Sequence, residues 1–136
     1  MIQQNTTTRT DLALLIGRVG IAALMLTHGI PKLMQLFSGE PISFPSVMGM
    51  SGTVSLVLAV LTEVLGSLFL LGGLATRYAA AALAITMAVA AFYIHGADPF
   101  AKQEKSILYL LFYIVLFFTG SGRYSLDQYL KKSKVS

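Results

Sequence analysis

Six side chains in this sequence have types and positions that could do chemistry: Arg18, His28, Lys32, Glu63, His95 and Glu104. Glu63 is the most constrained. It lies near the middle of VSLVLAVLTEVLGSLFLLGGLATR, a run of Leu, Val, Ala and Phe. At about 1.5 Å per helical residue, residues 54–74 cover roughly 30 Å, the thickness of a hydrocarbon core. A carboxylate at that depth is costly and stays only where a polar partner, a proton or a cavity offsets the cost. Arg18, Met25, His28 and Lys32 fall within an arc of about 80° on one helix, a polar stripe on an otherwise apolar cylinder. For Arg18 and Lys32 the alternative is snorkelling to the headgroups from opposite ends of that helix. The shared face with His28 favours an inward stripe. His28, Lys32, Glu63, His95 and Glu104 are expected in the outer half of the bundle, with Arg18 toward the cytoplasmic half, and such a set could bind a quinone head group, an anionic solute or a proton in transit. The competing account is an ion-pair network that only fixes helix register.

Composition narrows the chemistry. Charged residues make up 12% of the chain, about half the share of a soluble domain, and hydrophobic residues 55%. Lipid must therefore cover much of the surface. Cysteine is absent, which removes thiolate nucleophiles, Cys-ligated zinc, iron–sulfur clusters and CxxCH haem attachment. Redox chemistry would need a bound small molecule or a partner. No P-loop, GxGxxG, HExxH or GxSxG occurs, no catalytic residue is assigned, and no metal site is expected. The two histidines invite bis-His haem ligation, but His95 stands at a helix end rather than within a span. No basic surface is interleaved with aromatics, so nucleic acid is not a partner.

The positioning elements follow from the apolar runs. Residues 1–11 are polar and expected to be flexible, with Thr10 or Asp11 as an N-cap. Transmembrane helices are expected at about 12–36, 54–74, 78–94 and 104–119. No small-residue cleavage site follows the first run, so it reads as an uncleaved membrane helix. Residues 37–53 hold two prolines and three glycines among apolar side chains, and are expected to form an ordered interfacial cap with room for a helical turn at 46–50. Ala80, Ala84, Ala88 and Ala91 offer a small-residue packing face. HGADPFAKQEK gathers His95, Asp98, Lys102, Glu104 and Lys105 beside an Asp-Pro turn. Ser125 and Gln128 have capping-box spacing, which predicts a short interfacial helix at about 125–131.

The expected fold is all-α: one integral membrane domain over 1–136, a four-helix transmembrane bundle, up-down-up-down, with that short C-terminal interfacial helix. Arg9, Arg77, Arg123, Lys131, Lys132 and Lys134 then share one side, and Lys32, Lys102 and Lys105 the other. The positive-inside rule makes both termini cytoplasmic. Arg77 follows the glycine-rich end of the second helix, where a base complements the helix C-terminus, so its role is structural. Counting from helix ends places His28 about 12 Å and Glu63 about 14 Å below the surface, with Lys32 a turn above. His28 and Glu63 are therefore expected to face each other, directly or through one water.

RVGIAALMLTHGIPKL, TEVLGSLFLLGGLATRYAAAALAITMAVA, HGADPF with Glu104 following, and GSGRYSLD resemble the DoxX family of small four-helix membrane proteins. The likeness spans residues 12–127 in order and rests on Arg18, His28, Lys32, Glu63, Gly66, Gly72, Thr76-Arg77, His95 and Asp127 together. Asp127 enters with this set and is assigned a structural role. The resemblance implies a bacterial plasma (inner) membrane protein linked to thiosulfate:quinone oxidoreductases and to redox and thiol-stress complexes. It thus implies a quinone-linked or redox-associated subunit beside a partner redox subunit or in a homo-oligomer. The alternative is a non-enzymatic small transporter or scaffold whose buried charges are structural.

Overall fold

The computed structural model describes residues 2–136, with side chains from Asn5 onward. The described residues form helices and no strand: α1 Ile2–Leu36, α2 Gly52–Gly72, α3 Thr76–Ile94, α4 Phe100–Thr119 and α5 Leu126–Val135. Three of these are long and apolar enough to cross a membrane: α1 from Asn5, α2 and α3. The fourth, α4, has 20 residues but opens with Lys102, Glu104 and Lys105, which shortens its apolar run.

The helix starts differ from the sequence expectation for local reasons. The polar leader is helical from Ile2, and Met1 lies outside the described residues. Thr10 Oγ1 donates back to the Thr6 carbonyl at 3.0 Å, which lets a threonine sit inside a helix rather than cap it. Asp11 is also not a cap; its Oδ1 accepts the Arg123 N–H at 3.0 Å. Ser51 caps α2, its Oγ accepting the Val54 N–H at 3.2 Å. Ser125 caps α5 by accepting the Gln128 N–H at 3.3 Å, the partner that its spacing predicts. Residues 46–50 form a tight turn instead of a helical one, closed by Met50 N–H to the Val47 carbonyl at 2.9 Å.

α2 ends in a left-handed glycine. Gly73 has φ 67°, its N–H reaches the Leu70 carbonyl and the Leu74 N–H reaches that of Phe69, the paired bonds of a Schellman motif. A Cβ on Gly73 would also overlap the Arg18 guanidinium. Two π-helical segments interrupt the α pattern, Leu61–Leu65 in α2 and Val89–Ile94 at the end of α3. Such bulges recur at functional sites because they re-aim side chains. One contains Glu63 and the other delivers His95.

α1 packs along α2, α2 against α3, and α3 most extensively against α4, with a thinner contact between α4 and α1. The core draws Ala22 and Met25 from α1, Leu70 from α2, Ala80, Leu83 and Met87 from α3, and Tyr109, Tyr113 and Leu116 from α4. The packing face of α3 is centred on Leu83 and Met87. Ala84 and Ala88, expected within it, are half-buried at its edge. Ile16, Leu24, Met34, Phe69, Ile85 and Phe118 point outward and are exposed, a surface suited to hydrocarbon.

Candidate functional site

Glu63 is 2% exposed, and its partner is Lys32. Lys32 Nζ lies 2.6 Å from Oε1 and 2.8 Å from Oε2, so one ammonium serves both carboxylate oxygens. The expected His28–Glu63 contact is replaced by this one, and the reason is azimuthal. Gly29 is the residue of α1 that meets α2: a Cβ there would stand 3.1 Å from Glu63 Cβ and 3.0 Å from Val64 Cγ2. Lys32 lies about 60° round the helix from Gly29, and its long side chain reaches Glu63; His28, about 40° further round on the same side, sets its shorter ring against α4. The π-helical turn carrying Glu63 is held by Thr62, whose Oγ1 lies 3.0 and 3.1 Å from the Leu58 and Ala59 carbonyls and receives the Thr86 hydroxyl at 2.9 Å. Phe44, from the 37–50 segment, lies over the lysine with its ring centre 6.0 Å from Nζ. That segment is anchored by Val47 N–H to Ser55 Oγ and Met48 N–H to the Tyr93 hydroxyl, both at 3.1 Å.

His28 faces α4. Its ring meets Tyr109 edge-on at 5.9 Å between centres, and Tyr109 stacks on Tyr113 at 6.1 Å. Beside this pair opens a cavity of about 400 Å³ lined by Met25, His28, Met87, His95, Ala101, Lys102, Lys105, Ser106 and Tyr109. Four bases, a phenol and a hydroxyl converge there, with the two methionines supplying apolar wall. The sequence pattern includes the α4 part of this site: Lys102, Lys105 and Tyr109, spaced three and four apart, lie on one helix face. They were missed as site residues because α4 starts at Phe100, earlier than its apolar run. Glu104, on another side of that turn, is exposed and absent from the lining.

His95 is oriented by its own loop. The π-type bond from its N–H to the Ala90 carbonyl fixes the backbone at 3.0 Å, and Gln103 Nε2 donates to its carbonyl at 2.7 Å. His95 Nδ1 lies 2.7 Å from Asp98 Oδ2. That hydrogen bond holds the Asp98 carboxyl below the usual carboxylate range; desolvation opposes it, and the Lys102 charge adds to the lowering. An ionised Asp98 accepts, so Nδ1 carries the proton and Nε2 is left for a ligand. Among the described residues no group of three or more His, Asp and Glu could hold a metal ion.

Arg18 is fully buried, but 14 residues from Lys32, about 21 Å along α1. Its Nη1 donates to the Ser121 carbonyl at 3.1 Å and its Nη2 to that of Tyr124 at 2.8 Å, pinning the turn after α4. Asp127, in the first turn of α5, accepts the Ala75 and Thr76 N–H groups at 2.8 and 3.1 Å and so caps α3 from 51 residues away. Its own N–H returns to the Gly73 carbonyl at 3.0 Å. Arg77 is exposed and reaches the Phe118 carbonyl at 3.4 Å. The six candidates therefore divide. His28 and His95 share a cavity, Lys32 and Glu63 pair beside it, Arg18 serves the other end, and Glu104 stands apart.

The DoxX family profile matches residues 13–96. A protein of Haemophilus influenzae, described only as uncharacterised, is 34% identical over 123 residues, covering 85% of this chain and 89% of its own length. No solved structure matches the chain.

Proposed function

The chain belongs to the DoxX family of membrane proteins, and on that footing we propose that it is a redox-associated subunit binding a quinone head group in the His28–His95 cavity. The observation that carries this reading is the lining itself: imidazoles and the Tyr109 hydroxyl beside the apolar Met25 and Met87 in about 400 Å³. A quinone ring has carbonyl oxygens that need donors and flat faces that need apolar contact, so this donor set fits it. When bound, a quinone would supply two-electron, two-proton acceptor chemistry. The chain's own part is to donate hydrogen bonds from His28 and Tyr109, to accept one at His95 Nε2 from the hydroxyl of the reduced quinol, and to keep a positive field from Lys102 and Lys105. With no cysteine in the sequence, electrons arrive through a partner redox subunit.

The whole chain acts as one domain in this reading, with α1–α4 as an up-down-up-down transmembrane bundle and α5 at the interface. The contacts of Lys32 with Glu63, His28 with Tyr109 and Arg18 with Ser121 support antiparallel neighbours. The distribution of bases supports a bacterial plasma membrane protein with both termini cytoplasmic. A second reading, a transporter or scaffold, is favoured for Arg18, Lys32 and Glu63, whose contacts join chain segments without any ligand. Native mass spectrometry of protein extracted with its lipids tests the proposal. A quinone mass retained by the native chain and lost in His28→Ala/His95→Ala supports it; retention by both, or by neither, overturns it.

A further inference from the structure

The end of the molecule remote from His28 carries a larger cavity, of about 700 Å³, between α5 and the ends of α3 and α4. Five bases line it: Arg77, Arg123, Lys131, Lys132 and Lys134. The two acids on its wall, Asp11 and Asp127, are committed to backbone N–H groups. Among the described residues none of the five bases makes an ion pair. Thr76, also in the lining, buries an Oγ1 with no hydrogen-bond partner. An excess of unpaired cations over a walled groove is an anion site by charge.

The groove's surroundings identify the kind of anion. On α5, Leu126, Tyr129 and Leu130 lie three and four residues apart and are exposed, while Lys131, Lys132 and Lys134 sit on the same short helix. Tyr78, 84% exposed, stands at the start of α3 beside the groove. Apolar and aromatic residues flanking lysines in this way mark a helix lying at the lipid headgroup level. We propose that the groove binds the phosphate head group of an anionic phospholipid, with Arg77, Arg123 and the α5 lysines as donors. The bound lipid bridges α5 to the α3 and α4 ends, and so reinforces the Asp127 cap and the Arg18-held turn.

The test uses the full chain in nanodiscs of phosphatidylcholine with and without phosphatidylglycerol, reading lipids retained by native mass spectrometry after mild detergent release. The native chain should keep phosphatidylglycerol over phosphatidylcholine by about tenfold or more. Arg77→Gln/Lys132→Gln should lose the preference. Lys131→Gln/Lys132→Gln, confined to exposed side chains, should weaken it, and Lys131→Arg/Lys132→Arg should retain it. Arg9→Gln, a charge change on the exposed start of α1, should leave it intact. Equal retention of both lipids by the native chain, or an equal loss in Arg9→Gln, would overturn the proposal. So would inorganic phosphate protecting the protein from heat as well as phosphatidylglycerol does, since that would make the site one for soluble phosphate.

Discussion

Lys32 Nζ lies within 2.8 Å of both carboxylate oxygens of Glu63, and the contact ties α1 to the π-helical turn of α2. The glutamate side chain is 2% exposed and the lysine 29%, so the pair is desolvated on one side only. Removing one partner from a fully buried pair costs about 3–5 kcal/mol, and replacing both by apolar groups is often neutral. With Lys32 partly exposed, we expect Lys32→Met to cost about 2–3 kcal/mol. Lys32→Met/Glu63→Leu should recover most of that. Unfolding of the four species in a double-mutant cycle checks it; additive losses would mean that the two groups do not interact.

The lock at the other end makes a separate prediction. Asp127→Ala removes the acceptor for two N–H groups of α3 and should cost about 1–2 kcal/mol, while Asp127→Asn, keeping one acceptor, should cost less. Gly73→Ala should cost more than either, at least about 2 kcal/mol, because φ 67° and the Arg18 guanidinium both exclude a Cβ. Thermal melts of the three variants order the effects. Equal melting of Gly73→Ala and the native chain would contradict the packing of Arg18 against this turn.

The His95–Asp98 pair has a pH signature. The Asp98 carboxyl is held below its ordinary value, so its contribution is complete above the unfolded carboxyl's pKa of about 3.9 and is lost as pH falls through the lower, folded value. The part of the amide protection of the 95–99 loop that Asp98 supplies should therefore be complete above about pH 4 and be lost below it. Asp98→Asn should abolish that acid step. A loop equally protected at all pH values would show that the pair does not order it.

Orientation is testable independently. Reporter fusions after Gly52 and Lys102 should read periplasmic, and fusions after Thr76 and Ser136 cytoplasmic, as the distribution of bases requires. One reversed reading would remove the up-down-up-down arrangement.

Much of this was legible in the chain because apolar runs and breakers are local. The order of helices, the Ser125 cap and the need for Glu63 to have a buried polar partner follow from spacing alone. The partner of Glu63 did not, because depth along a helix is set by counting, whereas azimuth is set by which residue touches the neighbour. Here Gly29 touches α2, turning Lys32 toward Glu63 and His28 toward α4. Asp127 capping α3 from 51 residues away leaves no trace in local spacing. The α4 wall of the cavity was present as Lys102, Lys105 and Tyr109, but a helix start at residue 104 hid their common face.

A quinone head group in the His28–His95 cavity would be seen in equilibrium binding of a short-chain quinone to the purified chain. The native protein should bind one equivalent saturably. His28→Ala, which removes a donor, should weaken binding by about tenfold, the worth of one hydrogen bond. Lys131→Gln/Lys132→Gln, at the opposite end, should bind as the native chain does. No saturable binding, or the same affinity in His28→Ala as in the native protein, would rule out a quinone held by His28 in this cavity.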